Sequence, residues 1–497
     1  MSEIRVTYSG LISFLVGLST LVTGLMFSLI ITRTLNPQEY GTWGLISSLF
    51  VYAVIINGIV TFWTAREIAR GEKTGKTAVF FSEILSVGGI LIYLIAAYFV
   101  SPEANVEQNI LFFAALLIPL TFLHKVLSTI NTGWKPEITS YAIIVTEIIK
   151  IPLILIFLIL FDLGISGLII TLVISSVIGS LVQVIKSRQK LRFSINKIHI
   201  KKWLKISWLP SYHRISTILF ASDIVIFSVI IGSVEGIAFY SAALIVASIV
   251  SQSGKISSTV YGKLLGGGER KYLENNLMQL FYFAIPLATI SILYAKPILF
   301  ALNPLYEISV PVVIFLTIRT FFFMLTGTFS SFLTGIEQVD MDKNSTFKDY
   351  IKSKLFVIPN LQIIQYGVYL LILTIYLTVF KDQVSQIELV VSWSIIGMAT
   401  QIPLSLYLYR VVKRNFEFKL NKFLITTYSV ISIGSFGGSF VLTEVFLIYK
   451  SNIFEFLPNL IGFVLLGIAV YLILTYVVDD RTRKLFKAAI NEVKKIR

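Results

Sequence analysis

The chain has 497 residues, 56% of them hydrophobic and only 14% charged, with a formal net charge of +15 and a mean hydropathy of +0.82. Apolar runs of about 20 residues recur from end to end, which excludes an ordinary soluble domain and marks a chain built for the bilayer. Cysteine is absent, so disulfides, iron–sulfur clusters and thiolate zinc sites are excluded, and the three histidines (His124, His199, His213) lack metal-ligand spacing.

Fourteen spans are expected, at roughly 9–31, 41–62, 78–100, 110–127, 138–161, 165–185, 206–231, 236–260, 277–302, 308–333, 355–380, 389–409, 423–449 and 454–478. The first is too long for a signal-peptide core and reads as a retained span. All should be helices, because lipid offers no partner for a free backbone group. Of the lysines and arginines, 35 fall before span 1, in or beside alternate connections, and in the tail, against four in the other connections. By the positive-inside rule both termini are therefore expected in the cytoplasm. That placement accounts for the basic charge without nucleic acid. The outer connections (34–40, 101–108, 162–164, 232–235) are too short for an extracytoplasmic domain, and the inner ones too short for a folded catalytic domain. The loop at 192–205 and the tail at 481–497 are basic and amphipathic. In the tail Leu485, Ala489, Val493 and Ile496 recur at helical spacing, so both segments are expected on the anionic inner leaflet.

A weak internal repeat sets the organisation. A short outer turn leads into Gly41-Thr42-Trp43, and another into Ala238-Phe239-Tyr240, with six spans between them. That spacing gives the two copies the same orientation and implies two parallel six-helix lobes. The expected division is an N-terminal lobe at 1–185, a basic connection at 186–205, a second lobe at 206–410, two extra spans at 411–478 and a cytoplasmic tail at 479–497.

Few charges lie inside the spans. Glu147 and Lys150, three apart on span 5, share a helix face. Arg319 on span 10 has no acid on its own helix and cannot shed its proton, so it needs an anion from elsewhere. On span 7, beside Pro210 and His213, Arg214 and Asp223 are nine residues apart and so on opposite faces, with Asp223 about 13 Å further out. Lys255 sits toward the inner end of span 8 and can snorkel. Glu83, Glu388 and Glu444 fall near span ends and read as interfacial. No Walker motif, metal-ligand set or nucleophile–histidine arrangement suggests an enzyme.

The run Arg33-Thr34-Leu35-Asn36-Pro37-Gln38-Glu39-Tyr40-Gly41 between the first two spans, with the stretch around Asp223 and Ala238-Phe239-Tyr240, resembles the polysaccharide-transport (Wzx-type) flippases. These belong to the multidrug/oligosaccharidyl-lipid/polysaccharide exporter superfamily. The resemblance covers spans 1–10 loosely, spans 11–14 match only in hydropathy, and Ala238 stands where the family more often has Gly. It implies a fourteen-helix, two-lobed fold working by alternating access in the plasma membrane as a monomer, without a bound cofactor. The implied cargo is a polyprenyl-linked oligosaccharide. Arg214, Arg319, Lys150 and Lys255 would hold its anionic head group. Asp223, Glu147 and His213 would couple the cycle to a proton or sodium gradient, or brace the lobes. Spans 1 and 2 carry no charge, unlike the Arg-rich spans of the related lipid II flippases, which argues against a peptidoglycan precursor. Two alternatives stay open: a drug or organic-cation antiporter of the same superfamily, and a membrane glycosyltransferase or glycan ligase.

Overall fold

A computed structural model describes residues 6–205, 207–212, 214–254, 271–335, 347–416, 419–484 and 487. Within these residues the chain is helical and contains no strand. Twelve helices are long and apolar enough to cross a membrane: α2 Pro37–Ala69, α3 Gly75–Glu103, α4 Gln108–Thr132, α5 Glu137–Leu160, α6 Gly164–Ser187, α8 Glu235–Gly254, α9 Leu273–Leu293, α10 Pro304–Thr334, α11 Lys354–Phe380, α12 Gln386–Phe416, α13 Lys422–Phe446 and α14 Ile453–Val478. The expected first and seventh spans correspond to α1 Val6–Thr34 and α7 Ile215–Ile231; their described apolar stretches, Val22–Thr34 and Ile215–Ile231, are shorter. The chain is an all-α multi-pass membrane protein. Burial varies with position: the apolar windows of α5 and α14 are only 11% and 17% buried, that of α8 56%. Leu160, Ile473 and Val477 are among the large apolar side chains left outward, as lipid contact requires.

The chain divides into two compact units, 1–241 with 366–389, and 242–365 with 390–497. In the first, α5 packs on α1 and α6, α4 on α3 and α6, and α7 on α2. The turn before α2 explains its own sequence. Asn36 accepts from the Glu39 N–H at 2.9 Å and its own N–H donates back to Glu39 Oε2 at 3.2 Å. This capping box satisfies two helix-end donors, with Pro37 placed where its missing N–H costs nothing. Glu39 Oε1 also accepts from the N–H of Ile165 at 3.3 Å. A Cβ on Gly164, which has φ +51°, would overlap that oxygen. One on Gly41 would overlap the carbonyl oxygen of Val234, which leads into α8. Only a glycine admits these approaches. The two turns of the internal repeat therefore touch.

The basic connection contains a helix, Lys197–Lys205, whose Trp203 is fully buried. Trp203 stacks on Phe81 at 6.3 Å and shares an apolar cluster with Val60, Ile68 and Val126. Its indole N–H donates to Glu67 at 3.2 Å, and Lys202 pairs with the same carboxylate at 2.9 Å. One apolar face thus docks on protein rather than on lipid alone, while Ile198 and Leu204 stay exposed. In the second unit α9 packs on α10 and α13, and α13 on α14. Leu277, Ala284, Met324, Phe329 and Leu408 are part of its core. The amphipathic positions Leu485, Ala489, Val493 and Ile496 of the tail lie outside the described residues.

Candidate functional site

Helix α2 is interrupted halfway by a tighter turn at Ile55–Asn57. The side chain of Asn57, 1% exposed, reaches across this break: its amide donates to the carbonyl of Phe122 on α4 at 3.3 Å and its oxygen accepts from Ser82 on α3 at 3.2 Å. Gly58, next in sequence, faces Arg214, whose Nε lies 3.9 Å from where a glycine Cβ would stand. Arg214 immediately precedes α7 without a side-chain capping bond: a short helix, Trp208–Tyr212, lies before it and α7 begins at Ile215. The expected seventh span, 206–231, is therefore not one helix.

One turn along α4 from Phe122 stands Lys125, about 10 Å inside the inner end of that helix. Lys125 and Arg214 are both exposed, and they lie within electrostatic reach of each other. Neither makes an ion pair among the described residues. Two like charges without an intervening acid repel, and the arrangement is relieved by a shared anion. Below Lys125 the neighbouring side chains are polar and satisfied. Gln183 bonds to His124 at 3.0 Å and accepts from Ser128 at 3.2 Å and Asn131 at 3.3 Å. The break in α2, the gap at Gly58 and two cations thus converge in one unit.

Glu147 and Lys150 are paired at 2.6 Å, 17% and 12% exposed. Thr23 of α1 donates to the other Glu147 oxygen at 2.6 Å, and Lys150 lies 4.5 Å over the ring of Phe27. The charge of Lys150 is met on the spot. Asp223 is 4% exposed, accepting from the Tyr369 hydroxyl of α11 at 2.7 Å and from the N–H of Ile224 at 2.8 Å. Around it α7 is tied to α2, through Tyr52 donating to Ser222 at 2.9 Å and Ser48 donating to the Ala221 carbonyl. Arg214 and Asp223 do not meet. Glu83, which reads as interfacial in the sequence, keeps a buried Oε1 without a hydrogen-bond partner.

In the second unit Arg319 is 6% exposed near the middle of α10. Its guanidinium lies against Gly397 of α12: a Cβ there would stand 2.8 Å from Nη1 and 2.9 Å from Cζ. One turn beyond Gly397, the Gln401 amide donates to Thr326 at 2.9 Å. A cavity of about 460 Å³ opens beside α10, lined mainly by apolar side chains that include Ile285, Phe321, Phe322 and Ile433. Lys255 and His213 lie outside the described residues.

Among the described sequence candidates, Glu147 and Lys150 are brought into contact. Lys125 was missed as a site residue because, read along the chain, it looks like an ordinary inner-end lysine. Its one signal is that it sits inside the apolar run rather than after it.

No protein-family model and no curated protein matches the chain. Among solved structures, it superimposes on a lipid II flippase, MurJ, in an inward closed conformation. The TM-score is 0.66 at 18% identity, over 96% of this chain and 100% of the other. It also superimposes on the inward-facing conformation of a multidrug resistance MATE family transporter of the MOP superfamily, with TM-score 0.55 at 14% identity over 79% of this chain and 94% of that one. At these identities the likeness establishes the fold.

Proposed function

We propose that this chain is a flippase that carries a polyprenyl-linked oligosaccharide from the inner to the outer leaflet of the plasma membrane by alternating access. The fold is shared with a lipid flippase and a drug transporter, so the choice between them rests on charge. One observation carries it: Arg214 beside Gly58 and Lys125 one turn along α4 from the Asn57 contact lie within electrostatic reach of each other, and neither makes an ion pair among the described residues. A diphosphate is the chemistry such a pair holds well, since each charge-assisted hydrogen bond contributes roughly 1.5–3 kcal/mol.

The same residues give a working order. The head group enters from the cytoplasmic side and is met by Lys125 and Arg214. In the second unit, Arg319 is a further cation on a span, and the apolar cavity beside α10 suits an isoprenoid chain. Asp223, tied to Tyr369, and Glu147, tied to Lys150 and Thr23, serve to brace helices. Glu83, with its unpartnered oxygen, is the carboxyl best placed to take up a proton if the cycle is proton-coupled. A drug or organic-cation antiporter would need unpaired acids where the paired cations stand.

The test is ligand-dependent stabilisation of the purified protein. A polyprenyl diphosphate is expected to raise the unfolding temperature, while tetraphenylphosphonium is expected to leave it unchanged. The Lys125→Gln/Arg214→Gln double variant should bind the diphosphate at least about tenfold more weakly. Stabilisation by the cation instead would favour the antiporter.

A further inference from the structure

The second unit carries a polar recess that the proposed transport path does not use. Asp479, just past the end of α14, caps the helical turn that follows it. It accepts from the N–H groups of Arg481 at 3.0 Å and Thr482 at 3.1 Å, and from the Thr482 hydroxyl at 2.9 Å. The same carboxylate accepts from Tyr428 of α13 at 2.7 Å. This turn is therefore bolted to α13, and it presents Arg481 and Lys484 over a cavity of about 460 Å³ whose other walls include Gln279, Tyr282 and Tyr428. The tyrosines are held in turn: Tyr282 bonds to Thr475 at 3.2 Å, and Tyr471 donates to the Tyr282 carbonyl at 2.8 Å.

Arg481 is only partly satisfied there. One guanidinium nitrogen stands 3.6 Å from Glu274, while Nη1 is buried and has no hydrogen-bond partner. A buried, unmatched guanidinium donor is costly, and an anion is what would relieve it. The recess lies at the lysine- and arginine-rich end of the spans, where the inner-leaflet head groups sit. On the last turn of α14, just before this cap, Val477 and Val478 are 67% and 53% exposed, an apolar surface of the kind acyl chains lie on. The recess thus has a cationic rim and hydroxyls and amides in its walls, and it sits at the end of a helix with exposed apolar residues.

We propose that this recess is a binding site for the phosphate head group of an anionic phospholipid of the inner leaflet, with Arg481 and Lys484 as its cationic ligands. Occupation ties the tail, α9 and α13 to the membrane surface. The site is independent of the transport path, so the proposed function and this site can fail separately.

The experiment is native mass spectrometry of the full-length protein, titrated in detergent with phosphatidylglycerol, phosphatidylcholine or inorganic phosphate. The wild type should retain one phosphatidylglycerol more tightly than the rest, preferred over phosphatidylcholine by about fivefold for each basic residue engaged. Lys484→Gln, at the outer edge of the recess, should weaken that preference about fivefold, and Arg481→Gln/Lys484→Gln should abolish it. The unfolding temperature of each variant, measured without lipid, separates lost binding from lost folding. An undiminished preference in the folded double variant would overturn the assignment. So would displacement of the lipid by millimolar inorganic phosphate, which would mark a simple anion site.

Discussion

Arg319 shows how a single residue's placement depends on a neighbour that carries no chemistry. Its guanidinium occupies the space a side chain at position 397 would take. Gly397→Ala would drive a methyl group into the far end of a flexible arginine, so the guanidinium rather than the helix should yield. The expected result is a folded protein, destabilised by less than about 1 kcal/mol, that behaves like Arg319→Gln in a glycan-export complementation assay. Full export by Gly397→Ala would show that the position of this guanidinium does not matter. Little of this was legible in the sequence. Arg319 stood out because a charge in an apolar run always does, whereas Gly397 is one of 30 glycines. Lys125 failed to stand out for the opposite reason: inner ends of spans are full of lysines. Its proximity to Arg214 joins positions 89 apart in the chain, and no local pattern encodes that.

At the scale of elements, periodicity and charge bias located the helices well. What they could not supply was the breaks. The interruption of α2 at Ile55–Asn57 contains no proline; it is held by tertiary hydrogen bonds from Asn57 to α3 and α4. The seventh span parts between Tyr212 and Ile215 although its composition is apolar on both sides. The Glu39 turn is different. Its capping box is sequence-local, while Gly41 answers to the distant Val234 carbonyl, and together they account for the motif by structure alone. The basic connection was legible as an amphipathic helix, yet its docking through Trp203 was not, because the receiving surface comes from α2, α3 and α4. Trp203→Ala should cost about 3–5 kcal/mol locally. It should also make the Lys197–Lys205 helix the first site of limited trypsin cleavage; unchanged cleavage would place the anchor elsewhere.

The capped turn after α14 gives a pH dependence whose sign is set. Burial works to raise the Asp479 pKa. The hydroxyl of Tyr428, the N–H groups of Arg481 and Thr482 and the Thr482 hydroxyl outweigh it, holding the carboxyl below its ordinary 3.8. A depressed acid stabilises the fold above its unfolded pKa, and that contribution is lost as pH falls through the folded value. The anchor should therefore be intact at pH 7 and release only below about pH 4. Asp479→Asn should lower stability at pH 7 by about 1 kcal/mol and flatten the acid limb of the unfolding profile. An unaltered acid limb would remove Asp479 from the anchor.

For the whole molecule, the chain combines the fold of lipid and drug transporters with paired cations that lack an acid partner among the described residues. Hydropathy and the outer-turn motif were enough to reach the superfamily resemblance from sequence. Cargo class was harder, because it depends on which charges are left unmatched once the helices pack. Lys150 illustrates this: in sequence it is either a head-group ligand or half of a local pair with Glu147 on the same helix face, and in the structure the two are paired. The most direct test is transport by the purified protein in liposomes loaded with a polyprenyl diphosphate-linked oligosaccharide, read as glycan that becomes accessible to an external glycosidase. The wild type is expected to expose the inner-leaflet pool, and Lys125→Gln/Arg214→Gln to do so at least about tenfold more slowly. Equal rates for the two proteins, or no exposure of the inner pool by the wild type, would contradict the flippase reading.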